Sequence, residues 1–353
     1  MAAPLTSIEI CAGAGGQARG LELAGFDHLA LVENDAWACS TLRHNRPEWR
    51  VFGPHIGDLA LERVGQGDVK SFDATGYRGQ VDLLAGGVPC PPFSKAGKQL
   101  GADDDRDLFP AAVRLVRECQ PRAVMLENVP GLLDAKFDDY RESVERELAP
   151  DYVVWWDKVQ ASDFGVPQLR PRAILVAIEA RSAPYFVWPD AEDHRAAPTV
   201  GEALGERMAA NGWEGAAAWA SEQATRIAPT LVGGSKKHGG PDLGPTRAKT
   251  QWRQLGVDGL GLADAAPEPG FVGLPRLTVE MTAVLQGFDP AEWHIQGRKT
   301  NAYRQVGNAF PPPVAKAFGV RIREALRQEA EPELIVRERA PARNEERFEL
   351  PAA

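Results

Sequence analysis

Glu9-Ile10-Cys11-Ala12-Gly13-Ala14-Gly15-Gly16 runs from an apolar strand into a glycine-rich turn and then, from Gln17, into a helical pattern. Glycines in such a turn let a ligand approach the backbone and leave the first N–H groups of the helix pointing at it. With Ala18 the stretch also fits a GxGxxA dinucleotide fingerprint, and Glu33, 20 residues after Gly13, suits ribose hydroxyls. Taken alone it leaves open a nicotinamide dinucleotide, an S-adenosyl nucleoside, or a tight turn that binds nothing.

Outward from this turn, between Thr6 and about Ala180, short apolar runs alternate with amphipathic stretches, as the repeated strand–helix units of a parallel α/β sheet require. The pattern predicts strands over Ser7–Cys11, Leu29–Glu33, Val81–Ala85, Ala123–Glu127, Val153–Val159 and Ala173–Ile178. It predicts helices over Gln17–Ala24, Ala36–His44, Phe109–Cys119 and Asp138–Leu148. From about Arg181 to Leu274 it dissolves into Pro-, Gly- and Trp-containing sequence, which reads as a second, smaller unit. A helical pattern returns at Thr278–Gln286, and another follows Pro311-Pro312-Pro313, a run that can start a helix but cannot sit inside one. The tail from Glu329 is charged, mixed in sign and poor in aromatics, the composition of a frayed extension.

Composition narrows the class. With 353 residues, 44% hydrophobic and 25% charged, the chain has the make-up of a globular enzyme and not of a disordered protein. It lacks an apolar run of the roughly 18 residues that span a bilayer, and Met1 to Ser7 lacks the basic start of a signal peptide, so a cytoplasmic protein with no membrane partner is expected. The cysteines Cys11, Cys39, Cys90 and Cys119 offer no CxxC pair for a metal and no disulfide framework. Reduced thiols follow, one of which could be a nucleophile. A net charge of −9 argues against a protein that coats nucleic acid through its overall field, yet Arg226–Arg253 carries six cations (Arg226, Lys236, Lys237, Arg247, Lys249, Arg253) against Asp242 alone.

Three further stretches carry chemistry. Gly86-Gly87-Val88-Pro89-Cys90-Pro91-Pro92-Phe93-Ser94 follows the strand Val81–Ala85, and a parallel sheet has its ligand crevice at the carboxyl ends of its strands. Prolines on both sides of Cys90 restrict its loop without consuming the thiol, which suits a nucleophile as well as it suits a small buried hydrophobe. Leu126-Glu127-Asn128-Val129-Pro130-Gly131 ends the next strand with a carboxylate at the same edge. Gln168-Leu169-Arg170-Pro171-Arg172 precedes the strand Ala173–Ile178, and only one of its two arginines is expected to face the crevice.

Together, in this order, these stretches resemble the DNA cytosine-C5 methyltransferase family. The resemblance takes in the turn Glu9–Gly16, Glu33-Asn34-Asp35, Gly57-Asp58-Leu59, Pro89-Cys90, Glu127-Asn128-Val129 and Gln168-x-Arg170-x-Arg172. It resumes with Arg276-Leu277-Thr278 through Leu285-Gln286-Gly287-Phe288 and closes with Gln305-Val306-Gly307-Asn308-Ala309-Phe310-Pro311-Pro312-Pro313-Val314-Ala315. It implies an α/β fold: a Rossmann-like S-adenosylmethionine-dependent methyltransferase sheet with a smaller irregular target-recognition domain. The implied boundaries are residues 1–184 for the first part of the catalytic domain, 185–275 for recognition, 276–328 for the segment completing the catalytic domain, and 329–353 for the tail.

The resemblance also implies roles. Cys90 would add as a thiolate to carbon 6 of cytosine, and Glu127 would hold and protonate the ring at N3. Arg170 would contact the base and position Glu127, with Arg172 supporting the loop or a phosphate. The methyl would come from S-adenosylmethionine, leaving S-adenosylhomocysteine, with no metal. Cys11, Ala12, Gly13, Ala14, Gly15 and Gly16 would line the cofactor beside Glu33, Asn34, Pro89 and Leu108. Asp58 would accept from the adenine amine, Leu59 would pack on it, and Asn308 and Ala309 would close the site. The family usually has Phe where this chain has Cys11, so Trp37 becomes the candidate for replacing that aromatic face. Double-stranded DNA is the implied partner, with the base rotated out of the helix. Ser94, Thr230, Ser235, Lys236, Lys237, Arg247, Lys249 and Arg253 are the candidate DNA contacts. A monomer working at the nucleoid and paired in function with a restriction endonuclease would fit. Methylation of tRNA on the same scaffold, a nucleotide-binding oxidoreductase and a catalytically silent DNA-binding relative remain as other readings.

Overall fold

The computed structural model describes residues 3–58, 65–89, 107–191, 195–234 and 240–328. Its frame is a seven-stranded sheet built from β1 (Leu5–Ile10), β2 (Phe26–Val32), β3 (Val51–Phe52), β4 (Leu83–Gly87), β5 (Ala123–Asn128), β6 (Tyr152–Gln160) and β8 (Pro171–Glu179), in the spatial order β3-β2-β1-β4-β5-β8-β6. The chain moves outward from β1 through β2 to β3 and then crosses back to β4 on the other side of β1. This order reverses between β1 and β4, which opens a crevice at their carboxyl ends, Ile10 and Gly87.

Alternation along the strands divides the apolar side chains between two cores. Leu84, Val124, Leu126, Leu175 and Ala177 face α3 (Phe109–Cys119) and α4 (Asp138–Leu148). Leu83, Ala85, Met125, Ile174 and Val176 face α1 (Gly16–Leu23) and α10 (Pro312–Leu326). All six sequence-predicted strands are present within one to three residues at each end. The predicted helices are present too, α2 spanning Ala36–Asn45 and α8 spanning Val279–Leu285.

One expectation needs correction, because the sheet is mixed rather than parallel. β8 runs antiparallel to both β5 and β6. The connection from β6 to β8 holds one 3-10 turn (Ala161–Phe164) and the two-residue strand β7 (Gln168–Leu169), too short for the crossover a parallel neighbour needs. The region read as irregular also contains α5 (Val200–Met208), the short α6 (Ala216–Ala218) with a π turn after it, β9 (Ala228–Pro229) and α7 (Thr246–Arg253). Buried Trp219 and Trp252 anchor these elements, and α9 (Lys299–Asn308) follows α8. Among the described residues no helix is long and apolar enough to cross a membrane.

Candidate active site

The glycine-rich turn leaves β1 with two left-handed residues, Cys11 at φ 52° and Gly13 at φ 55°, and Gly15 at φ 79° starts α1 with no side chain capping its first-turn N–H groups. Glu33, at the end of β2, takes the Gly13 N–H on one carboxylate oxygen and the Asp35 N–H on the other, both at 2.7 Å. The Asn34 N–H also bonds this carboxylate, an acceptor of the kind a ribose hydroxyl would donate to. Burial pushes the Glu33 carboxyl above its usual range. The Cys11 thiol is pushed well above its usual value, first by burial and then by the charges of Glu33, Glu9 and Asp68. Cys39 and Cys119 are buried and held up at about 12, the behaviour of small hydrophobes.

The far end of the chain returns to this turn. A Cβ on Gly16 would lie 2.1 Å from the Phe310 carbonyl oxygen, and the Trp293 indole N–H donates to the Ala14 carbonyl at 2.9 Å. Ala12 and Ala14 are buried, Asn34 is exposed, and Trp37 lays its ring against Gly297. Asp58 does not join the turn: its carboxylate takes the His55 N–H within its own bend, and Leu59 lies outside the described residues. The Gly-Asp pair that does reach the turn comes ten residues later. Gly67 sits so close to Glu33 that a Cβ there would be 1.9 Å from the Glu33 carbonyl. Asp68 is the residue whose charge is felt at Cys11, and Val69 is buried beside them in the core. Two similar Gly-Asp-aliphatic signatures occur in the sequence, and only the second lies on β2.

At the carboxyl ends of β4 and β5, Glu127 lies in register with Gly87, and a Cβ on Gly87 would come within 3.2 Å of a Glu127 carboxylate oxygen. The other oxygen accepts from Arg172 Nε at 2.5 Å, with both side chains largely buried. Buried Asn128 donates to the Val88 carbonyl at 2.8 Å, so the strand bearing Glu127 also holds the segment that leads through exposed Pro89 to Cys90. Asn128 was quoted in the motif without a role of its own. Cys90 and Ser94 lie outside the described residues, and Leu108 begins α3 just after them.

The arginines exchange the parts assigned to them. Arg172, not Arg170, holds Glu127. Residues two apart on a regular strand share a face, but Arg170 precedes β8 and is free to turn away. It is 2% exposed and donates to the Leu231 carbonyl at 3.0 Å and the Gly307 carbonyl at 2.8 Å. Burial, then repulsion from Arg172, pulls its guanidinium well below the ordinary value. Gln168 grips the same Leu231 peptide from the other side, accepting its N–H at 2.8 Å while donating to the Leu285 carbonyl and the Gln286 side chain. Gln286 in turn donates to the carbonyl of buried Ala309. The segment over Thr230–Gly234 is therefore built into the wall of the crevice.

Of the candidate DNA contacts, Thr230 spends its hydroxyl on the Leu169 carbonyl at 2.6 Å, and Lys249 is paired with Asp242 at 3.0 Å. Arg247 and Arg253 stand exposed on α7, whose inner face is Ala248 and Trp252. Ser235, Lys236 and Lys237 lie outside the described residues. Asn308, expected to close the cofactor site, is exposed at the end of α9, and its amide donates to the Gly234 carbonyl at 3.2 Å.

The sheet thus sets a glycine-rich turn, held by the Glu33 carboxylate, at its switch point and the Glu127–Arg172 pair one strand away. A family model for C-5 cytosine-specific DNA methylases matches residues 5–324, and the chain belongs to that family. It is 58% identical to the Type II methyltransferase M.NaeI of Lentzea aerocolonigenes over 93% of this chain and 76% of that one. It is 50% identical to M.NgoMIV of Neisseria gonorrhoeae over 92% of this chain and 99% of the relative. The fold matches a putative DNA modification methyltransferase encoded within an E. coli prophage, at TM-score 0.62 and 22% identity over 92% of this chain and all of that one.

Proposed function

We propose that this protein transfers a methyl group from S-adenosylmethionine to carbon 5 of a cytosine in duplex DNA, through a transient bond between Cys90 and carbon 6. The observation that carries this reading is Glu127, held by Arg172 and set against Gly87 three residues before Cys90. The cofactor fits the residues present: the left-handed turn and the uncapped start of α1 offer N–H donors for a carboxylate tail, and Glu33 offers an acceptor for ribose hydroxyls. Asp68 and Val69 take the adenine part first given to Asp58 and Leu59. Bound S-adenosylmethionine supplies an electrophilic methyl on its sulfonium.

Cys90 adds to carbon 6 as Glu127 delivers a proton to N3, which makes carbon 5 nucleophilic. Arg172 keeps the carboxyl group in place by its ion pair. With the methyl on carbon 5 and S-adenosylhomocysteine as leaving group, water or another base takes the C5 proton, the sulfur–carbon bond breaks to release the Cys90 thiolate, and the N3 proton returns to Glu127, leaving 5-methylcytosine. The target must leave the stack for Cys90 to reach it. Residues 185–275 act as the recognition domain, with Arg247 and Arg253 on phosphates. One chain holds every part the reaction needs, so the enzyme works as a monomer in this reading, and the likeness to Type II methyltransferases supports a role in shielding host DNA from a partner endonuclease.

Incubation with tritiated S-adenosylmethionine should label duplex DNA, and bisulfite sequencing of DNA from an expressing host should show one methylated motif. A duplex with 5-fluorocytosine at that motif should trap Cys90 covalently, and Cys90→Ser should abolish transfer while cofactor affinity stays within about tenfold. Label in RNA alone, or full turnover by Cys90→Ser, would overturn the proposal.

A further inference from the structure

α7 carries three cations and no carboxylate in a chain whose net charge is −9. Lys249 is neutralised by Asp242, whereas Arg247 and Arg253 make no ion pair among the described residues and stand exposed with Thr246, Thr250 and Gln254. A helix that faces only solvent ordinarily mixes its signs, because opposite charges one turn apart support it. With 3.6 residues per turn, each position advances about 100° around the axis. Ala248 and Trp252 mark the buried side, and Thr250 lies opposite their midpoint. Thr246 and Gln254 then fall about 40° to either side of Thr250, and Arg253 and Arg247 about 60°. The outer side is a neutral polar strip with one arginine on each flank. The Thr250 hydroxyl donates to the Thr246 carbonyl at 3.0 Å and keeps its acceptor sites, and Arg226 reaches the Gln254 carboxamide oxygen only at 3.5 Å.

The helix is tied to the wall of the crevice. A Cβ on Gly244 would lie 3.3 Å from Val232 Cβ and 3.4 Å from Ala248 Cβ, so the turn before α7 packs between the helix and the residue after Leu231. Leu231 is bound by Gln168 and Arg170, which lead to Arg172 and so to Glu127. We infer that α7 is the helix that reads sequence from the major groove, with Thr250 and Gln254 on base edges and Arg247 and Arg253 on the phosphates to either side. The inference rests on the methyltransferase reading above. A helix with its side chains is about 10–12 Å across and the groove about 12 Å wide, so flanking arginines reach opposite walls while the strip between them faces the floor. An amide donates and accepts at once, which suits the mixed edge of a base and not a phosphate. Anchored to the wall that holds Glu127, α7 also fixes which cytosine meets the carboxylate.

The test uses the full-length enzyme, tritiated S-adenosylmethionine, a duplex bearing the motif found by bisulfite sequencing, and duplexes that each change one base pair of that motif outside the target cytosine. Gln254→Ala should lower the kcat/KM preference for the intact motif over one particular altered duplex by about 5- to 150-fold, with the other positions discriminated as before. Thr250→Val, which keeps the shape and loses the hydroxyl, should relax a neighbouring base pair. Gln254→Asn, the same amide on a shorter stem, should recover part of the loss. Affinity for an unrelated duplex, its salt slope and the thermal midpoint should stay unchanged in all three, the affinity within about twofold, because the phosphate contacts and the buried side of α7 are untouched. Equal weakening of intact and unrelated duplexes, or undiminished discrimination at every base pair in Gln254→Ala and Thr250→Val, would overturn the inference while leaving the methyltransferase reading intact. A wild-type enzyme that labels no DNA would instead remove the reading on which it stands.

Discussion

Asp58 and Asp68 each follow a glycine and precede an aliphatic residue, Leu59 and Val69, so a motif alone cannot rank them. What separates them is the carbonyl of Glu33, against which Gly67 is pressed while Gly57 has nothing within 4 Å. Asp68→Ala should therefore weaken S-adenosylmethionine binding by about 10- to 100-fold, the range for a hydrogen bond to a charged group. Asp58→Ala should change it less than twofold, and titration calorimetry of the two variants decides the matter. The arginines pose the same kind of problem, since Arg170 and Arg172 are chemically alike and two positions apart. Only the start of β8 between them sends one to Glu127 and the other into a buried joint. Residue identity announced the chemistry, whereas the choice between equivalent candidates depended on backbone contacts that carry no residue signature. Glu127→Gln keeps the shape but cannot pass a proton to N3 in the same way. Its kcat should fall about 10²- to 10⁴-fold with cofactor affinity unchanged, read by single-turnover methylation.

Strands and helices with a clear period were legible to within a few residues, because burial on one face imposes spacing on the sequence. Direction in the sheet was not, since an apolar run such as Ala173–Ile178 looks the same whichever way it is inserted; the short link after β6 is what reverses β8. α7 and α9 escaped notice for a related reason: α7 buries only Ala248 and Trp252 of its eight residues, and of the five that α9 buries, Gln305 and Gly307 carry no apolar signal. Between β1, β2 and α1 a half-buried polar contact has a measurable consequence. His28 is bonded to the Ser7 hydroxyl at 2.8 Å and to the Ala18 carbonyl at 2.9 Å, with Trp49 at its edge. Burial holds its imidazole down at about 4, below the ordinary 6.5. Between those values the unfolded chain binds a proton that the folded chain refuses. The stability this group contributes is thus fully present above about pH 6.5 and lost as pH falls toward 4, with a slope approaching about 1.4 kcal/mol per pH unit. In urea unfolding at graded pH, His28→Gln should flatten the wild-type curve across this window; an unchanged slope would show that His28 titrates normally in the fold.

Segments far apart in the chain meet at one joint, where Gln168 and Arg170 bind the backbone of Leu231, Gly307 and Leu285. Main-chain carbonyls belong to every residue type, which is why the sequence around residues 200–253 gave so little notice of how it docks. Arg170→Met would leave the Leu231 and Gly307 carbonyls without their donor, and at about 1–3 kcal/mol for each buried acceptor the loss should be about 2–4 kcal/mol, seen as a lower midpoint in thermal unfolding. The molecule also separates charge: the whole chain is −9, yet Arg226–Arg253 carries six cations against one anion, and α7 turns Arg247 and Arg253 outward from its Ala248–Trp252 face. Overall repulsion from DNA then leaves binding to a few local phosphate contacts, each of which releases about one counterion. The double variant Arg247→Ser/Arg253→Ser should reduce the slope of log affinity against log salt by about two. It should also weaken cognate and unrelated duplexes by the same factor, because phosphates carry no sequence. Fluorescence anisotropy across a salt series separates this from base reading: a loss confined to the cognate duplex would place these arginines on base edges instead, and an unchanged slope would place α7 off the DNA.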